Sequence, residues 1–372
     1  MNQHVILWFQ LFNICAMIIL NAFFEGILTM KQINIKSLTL SDFEQWLVEN
    51  DIKPYRATQV FKWMYKNQTD DFQSMTDISF SLRQLLNEKF TIPCIKTALI
   101  QRSSDGSKKY AFCLNDNHHI ESVLIPERNH HTLCISSQVG CSQGCAFCLT
   151  AKQGFTRNLS PGEIVSQIQM VLRDLDDNSL PLKNIVFMGM GEPLANYQNV
   201  VNAIDILLNS KYGFQFSSRK VTLSTCGIVP NMIKFSQYSP VQLAISLNAT
   251  DNKTRDMLMP INRKYPIEQL LDTCRNYPLR PGRRITIEYV LIKDVNDDIN
   301  HAKKLCSLLR GIHTKINLIP YNPHLKSEFE RPENFRVEAF QKILIKNNYT
   351  AIIRQSKGLD ISAACGQLSS EM

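Results

Sequence analysis

Three thiols fall within one short stretch, Cys141-Ser142-Gln143-Gly144-Cys145-Ala146-Phe147-Cys148. Thiolates are soft ligands suited to zinc or to iron–sulfur clusters. Gly140 and Gly144 permit the tight wrap that a metal inside such a loop requires. A structural zinc site would want a fourth Cys or His at a fitting offset, and none is close by. Three sulfur ligands leave one iron of a cubane open, so that a small molecule can bind there directly and receive an electron.

Other residues able to do chemistry are more scattered. Gly189-Met190-Gly191-Glu192-Pro193 combines close backbone approach with a carboxylate that can accept from an ammonium. Ser224, Ser246-Leu247-Asn248 and Tyr321-Asn322-Pro323 read by themselves as ordinary turn and cap chemistry. Cys134 and Cys365 read by themselves as small buried hydrophobes, the usual fate of a free cysteine. Cys365, however, sits beside Gly366 near the chain end, a poor place for a core residue and a good one for a mobile carrier. Glu121, at the edge of an apolar run, would ordinarily face solvent.

The elements that must hold these residues follow from hydrophobic periodicity. Residues 41–90 read as three helices: Phe43 to Val48 capped by Ser41 and Asp42, Ala57 to Tyr65, and Ser79 to Phe90. Lys108 to Pro126 turns to period two around Asn115 to Asn117, which suggests a β-hairpin linking two domains. Beyond it, β-rich runs at Thr132 to Ser137, Asn184 to Met188, Lys220 to Ser224, Val241 to Leu247, Ile285 to Ile292 and Lys315 to Ile319 alternate with helical segments. Such alternation argues for a parallel sheet with crossover helices, and six units suggest an α/β fold of the partial (β/α)6 barrel kind. The unusual residues lie just past strand ends, which in a parallel barrel share one face.

Composition sets outer bounds. The 372 residues are 44% hydrophobic and 20% charged, enough for a sizeable core and against wholesale disorder. A formal charge of +8 favours a polyanionic partner. The eleven cysteines are odd in number and mostly dispersed, unlike a secreted disulfide framework, so a reducing cytoplasm is expected. Val5 to Leu28 is nearly uncharged and about long enough to cross a bilayer. It lacks a basic n-region, and Asn13, Asn21 and Glu25 interrupt it; a true start at Met30 is the favoured reading, with no membrane partner.

The cysteine spacing resembles the signature of the radical S-adenosylmethionine (SAM) superfamily. The segments around Cys134 (Thr132 to Cys141) and Cys365 (Gly358 to Leu368) closely resemble the RlmN/Cfr family, and the likeness runs from about Met30 to the end. It implies a radical SAM barrel over 127–357, a helical RNA-binding accessory domain over 30–105, a hairpin linker over 106–126, and a carrier segment over 358–372, with 1–29 outside it. It implies one [4Fe–4S] cluster on Cys141, Cys145 and Cys148, with SAM held by Gly191, Glu192, Ser224, Ser246, Leu247, Asn248 and Asn322. Cys365 would be methylated by one SAM, and a radical from a second SAM would take hydrogen from that methyl group. Cys134 would release the product by forming a disulfide with Cys365, and Glu121 would be the proton acceptor.

Carbon 2 of adenine lies between two ring nitrogens and is electron-poor, so polar transfer of an electrophilic methyl group to it is mismatched and a radical route is called for. The resemblance implies adenosine 2503 of 23S rRNA and adenosine 37 of tRNAs as targets, an electron donor such as flavodoxin, and a monomer. Arg157, Arg219, Lys220, Arg280, Arg283, Arg284, Arg354 and Lys357 are the candidates for phosphate contacts. Two alternatives are a Cfr-like enzyme acting on carbon 8 of adenine, and a non-catalytic iron–sulfur or zinc protein that binds RNA.

Overall fold

The computed structural model describes residues 32–369 apart from 177, 239, 325 and 326; the apolar stretch at 1–29 lies outside the described residues. Two compact units emerge, one of described residues 32–64 and 69–93, the other of 65–68 and 94–369. No helix among the described residues is long and apolar enough to cross a membrane.

In the first unit, strands β1 (Ile33–Asn34) and β2 (Phe90–Thr91) pair in parallel and helices α1 (Leu40–Glu49), α2 (Arg56–Tyr65) and α3 (Phe80–Lys89) lie between them in sequence. Helix α1 begins one turn earlier than the expected Ser41–Asp42 cap. Thr39 caps it, and Asp42 returns the bond to the Thr39 amide in a capping box. Its apolar face is aromatic: Phe43 stacks on Phe61 with ring centroids 5.9 Å apart and meets Phe90 edge-on at 5.6 Å.

The second unit is built on one ten-stranded sheet. Strands β3 (Lys96–Arg102), β4 (Lys108–Cys113), β5 (His119–Pro126) and β6 (His131–Cys134) pair antiparallel in succession. From β6 onward the neighbours are parallel: β9 (Leu182–Phe187), β10 (Val221–Thr225), β11 (Gln242–Ser246), β12 (Ile285–Leu291), β13 (Thr314–Pro320) and β14 (Ala351–Ile353). The six expected parallel strands are present, and the short β14 adds a seventh. A separate two-stranded ribbon, β7 (Gln138–Gly140) with β8 (Phe155–Asn158), brackets the cysteine loop. Helices α4 (Leu149–Lys152), α5 (Pro161–Asp174), α6 (Tyr197–Leu208), α7 (Val229–Tyr238), α8 (Asn252–Leu258), α9 (Ile267–Arg275), α10 (Ile299–Leu308) and α11 (Asn334–Lys346) fill the connections.

Where the sequence suggests a two-stranded linker over 106–126, the structure has a three-stranded meander, β3 to β5, hydrogen-bonded onto barrel strand β6. Strand β3 escaped notice because its residues are all exposed or half-buried and form no buried apolar stripe.

Register separates the two faces of the sheet. Directly paired residues share a face, so Lys109, Val123, Cys134, Val186, Thr222 and Gln242 form one row across β4, β5, β6, β9, β10 and β11. A second row on the same face joins Ser246, Glu288 and Asn317. The opposite parity carries Ile285, Ile287, Tyr289, Ile316 and Leu318, all fully buried under the helices. The polar face is therefore the lumen of an open barrel.

Candidate active site

The three-cysteine loop leaves the lumen end of β7 and is pinned by backbone bonds. The Cys141 amide donates to Gly154 O at 2.8 Å, Ala146 to Leu258 O at 2.9 Å, and Leu149 to Gly366 O at 2.8 Å. Gly140 starts the turn at φ +72°, where a Cβ would lie 2.0 Å from Gly154 O, so no side chain fits there. Cys145 and Phe147 pack on an apolar cluster of Cys226, Leu258, Met259, Ile292 and Tyr321. Burial pushes all three thiols up, Cys141 to about 12, and Cys141 and Cys145 are raised further by the charges of Cys148 and Glu192. Metal binding would displace those protons. Among the described residues no three His, Cys, Asp or Glu side chains converge as ligands of a single ion would. A cubane asks for something else, one thiolate on each of three irons, and the three half-buried sulfurs of one pinned loop fit it.

The glycine turn after β9 stands beside this loop. Gly191 has φ +97°, and a Cβ would meet the Gln138 Cβ at 2.5 Å. Gln138 Oε1 accepts the Glu192 amide at 2.8 Å, so the turn and β7 are locked together. Glu192 is 4% exposed, and its carboxylate accepts the amides of Leu194 (2.9 Å) and Cys226 (2.8 Å). It has no ion pair with a described Lys or Arg, and burial raises its pKa. A buried carboxylate lacking a cation suits an ammonium group arriving from a ligand. Gly191→Ala is expected to cost about 1–3 kcal/mol through clash and backbone strain. Thermal unfolding of the variant checks this; an unchanged melting temperature would contradict it.

Other expected SAM contacts also gather at the strand ends. Ser224 and Ser246 are half-buried at the ends of β10 and β11. The Leu247 amide donates to Glu288 O at 3.0 Å. Asn248, in left-handed backbone at φ 57°, accepts the Val290 amide at 2.8 Å, and its amide nitrogen lies 3.2 Å from Met259 Sδ. Asn322 donates to the Cys365 carbonyl at 3.2 Å and accepts the Ser356 hydroxyl at 2.5 Å. Both asparagine side chains thus have structural partners within the chain. Behind them sits Arg255, fully buried, donating to the carbonyls of Cys226 (2.7 Å), Leu247 (3.1 Å) and Ser246 (3.2 Å). Sequence reasoning missed it, since nothing in a lone helical Arg marks it as the tie between two strand ends.

The segment expected to be mobile is fastened along its length. The β3–β4 turn holds its start: Ser103 Oγ donates to Asp360 at 2.6 Å, and the Gly358 amide donates to Asp105 at 2.8 Å. Beyond Cys365, Thr150 Oγ1 donates to Leu368 O at 2.7 Å and Gln367 Nε2 to Pro323 O at 2.7 Å. Glu121 is not at the surface: it is 6% exposed, pairs with Lys109 at 3.0 Å and accepts the Ser369 amide at 2.8 Å. Lys109 also reaches Ser362 O at 3.4 Å. The Lys109–Glu121 pair therefore contacts the C-terminal segment on both sides of Cys365. Burial raises the Glu121 pKa against the opposing pull of Lys109.

Cys365 itself is exposed to solvent, and the protein packed around it raises its thiol pKa. The charges acting on it are Glu288, Arg354 and Cys148, and its own charge acts on buried Cys134. All ten described cysteines are free thiols. Glu288 was not foreseen; its signal is the lumen parity in Thr286-Ile287-Glu288-Tyr289. It is 7% exposed, and burial raises its pKa to about 7 from 4.5. A carboxyl whose folded pKa is raised binds its proton more tightly when folded. Its contribution is fully present below about pH 4.5 and is lost as pH rises through about 7. Glu288→Gln is therefore expected to be more stable than the parent at about pH 8, by up to about 3 kcal/mol, and no more stable near pH 4. Denaturant melts at both pH values check the sign.

The basic residues divide. Arg157 is engaged by Asp116 (2.5 Å) and Glu163 (2.8 Å). Arg219, Lys220, Arg280, Arg283 and Arg284 precede β10 and β12, at the barrel end opposite the cysteine loop. Arg354 and Lys357 follow β14, on the loop side.

An open parallel barrel with three loop cysteines at its mouth defines a radical SAM enzyme, and residues 135–306 match the Radical SAM superfamily. Its cofactors are a [4Fe–4S] cluster and SAM. Residues 33–92 match the ribosomal RNA large subunit methyltransferase N-terminal domain. A radical SAM methyltransferase from Sphaerobacter thermophilus superposes with a TM-score of 0.85 at 40% identity, covering 91% of this chain and 100% of that one. The dual-specificity RNA methyltransferase RlmN of Desulfosudis oleivorans is 54% identical over 91% of both chains. That of Syntrophus aciditrophicus is 50% identical over 91% of this chain and 97% of its own. The chain belongs to the RlmN family.

Proposed function

We propose that the chain methylates carbon 2 of adenosine 2503 in 23S rRNA and of adenosine 37 in tRNAs, through a methyl group carried on Cys365. The observation that carries this reading is the gathering of Cys365, Cys134 and the cluster loop around one lumen, with Glu121 on the same sheet face. When bound, the cluster and SAM supply a one-electron reduction that generates a hydrogen-abstracting carbon radical.

The chain's own residues do the rest. The bonds from Asn322, Leu149 and Thr150 hold residues 365–368 beside the loop, so a methyl group on the Cys365 sulfur is presented where hydrogen can be removed from it. Once the methylene carbon is joined to adenine, the ring must lose one electron, which the cluster, when bound, would take back, and one proton, which Glu121 accepts, Lys109 stabilising the carboxylate until it does. Cys134, as thiolate, then attacks the Cys365 sulfur. The S–S bond forms, the S–C bond breaks, and its electron pair goes to the carbon, which takes a proton to become the methyl group. Flavodoxin-type electron supply, a monomeric state and a cytoplasmic setting complete the proposal.

The target base must leave its stack, at a cost of a few kcal/mol that is smallest in loops. Protein-free 23S rRNA and tRNA, incubated with the anaerobically reconstituted enzyme and SAM, are expected to yield 2-methyladenosine by mass spectrometry. Formation of 8-methyladenosine alone, or methylation only of assembled large subunits, would contradict the proposal.

A further inference from the structure

We propose that Glu288 accepts the thiol proton of Cys365 when SAM methylates that cysteine. The inference rests on the reading of Cys365 as the methyl carrier. Cys365 must attack the methyl carbon of SAM as a sulfur anion. The Cys365 S–C bond forms, the S–C bond of SAM breaks, its electron pair stays on the sulfur of S-adenosylhomocysteine, and the thiol proton needs an acceptor.

Three observations single out Glu288. Pairing of Ser246 with Glu288 and of Glu288 with Asn317 places its side chain on the lumen face, in the row that ends β11. Asn317 Nδ2 donates to its Oε1 at 2.9 Å, fixing the carboxylate, while Oε2 has no hydrogen-bond donor among the described residues. Its charge acts on the Cys365 thiol.

The other carboxylates near the site have other places. Glu121, paired with Lys109 and the Ser369 amide, is the acceptor assigned to the ring proton, and Glu192 is held by the amides of Leu194 and Cys226. The charged groups facing Glu288 are Arg354 beyond β14 and Lys315 on β13, both of which favour its anion. Those facing Cys365 are Glu288, Arg354, Cys148 and Cys134.

Charge also balances. A sulfonium cation and a carboxylate anion become a neutral thioether and a neutral acid, a change favoured by the burial of the Glu288 carboxylate. The pKa of about 7 lets the group accept a proton at neutral pH and release it to water afterwards.

The test uses cluster-loaded protein with SAM and no RNA, reading methyl occupancy of the Cys365 peptide by mass spectrometry in single turnover. The parent rate is expected to rise with pH to a plateau just above about pH 7. Glu288→Gln is expected to slow it about 100-fold and to keep rising at higher pH, with Glu288→Asp partly restoring the rate. A second readout is alkylation of Cys365 by iodoacetamide. Loss of the neighbouring negative charge should make the Glu288→Gln thiol more reactive at a given pH, so the two rates move in opposite directions. Parent-like methylation in Glu288→Gln, or a joint fall of both rates, would overturn the assignment. A parent protein that never carries methyl on Cys365 would bring down the carrier reading itself, and this inference with it.

Discussion

Cys365→Ala is expected to lower RNA methylation by at least about 1000-fold while leaving the fold and the iron content intact. The fold survives because this residue is held by its own backbone: the Asn322 side-chain amide donates to its carbonyl, and the Leu149 amide to that of the next residue. The chemistry does not survive, because no other sulfur takes its place. Cys134 is 8% exposed at the end of β6, and Cys148 belongs to the cluster loop. Cys134→Ala should differ in kind. It permits addition to adenine but removes the attacking sulfur, so RNA should remain covalently attached to the protein on a denaturing gel until nuclease is added. Equal losses in both variants, with no trapped RNA, would contradict these separate roles.

Much of this site was legible from residue types. The cysteine spacing, the placement of polar residues past strand ends and the period-two runs reflect local physics, and the strands appear within a few residues of their expected bounds. What stayed hidden depends on distant pairing. Glu121 reads as a surface carboxylate until Lys109 and Ser369 come to it across 12 and 248 positions of chain. Asp360 gives no sign that it will grip Ser103 and Ser104, so the segment bearing Cys365 looks free when it is fastened. Glu288 is one acid in an apolar strand, and only register with Ser246 and Asn317 shows that its face is the lumen. Strand β3 lacks an apolar stripe, which is why the sheet edge looked like a linker.

Cys145→Ala is expected to be the most disruptive change to metal content. Burial raises the Cys145 thiol, the charges of Cys148 and Cys141 add to the rise, and the residue packs against Met259 and its apolar neighbours. Two remaining thiolates cannot hold a cubane with a single open corner. Anaerobically reconstituted Cys145→Ala should lose most of its iron and sulfide, its brown absorption near 400 nm, and reductive cleavage of SAM together. The effect on stability of the chain without metal should be small, about 1 kcal/mol, since the loop is pinned by the amides of Cys141, Ala146 and Leu149 rather than by this side chain. Full iron content in the variant would show that the ligands lie elsewhere.

The most direct test of the central claim follows the methyl hydrogens. Enzyme already carrying a trideuterated methyl group on Cys365 is given trideuterated SAM and protein-free 23S rRNA, and the modified adenosine is weighed. Transfer through a Cys365-bound methylene removes one deuterium before the carbon reaches adenine, and the product regains a solvent proton. The expected methyl group therefore contains two deuteriums. A product that retains all three would mean that the methyl passes intact from SAM to the base, and the role assigned to Cys365 would be wrong.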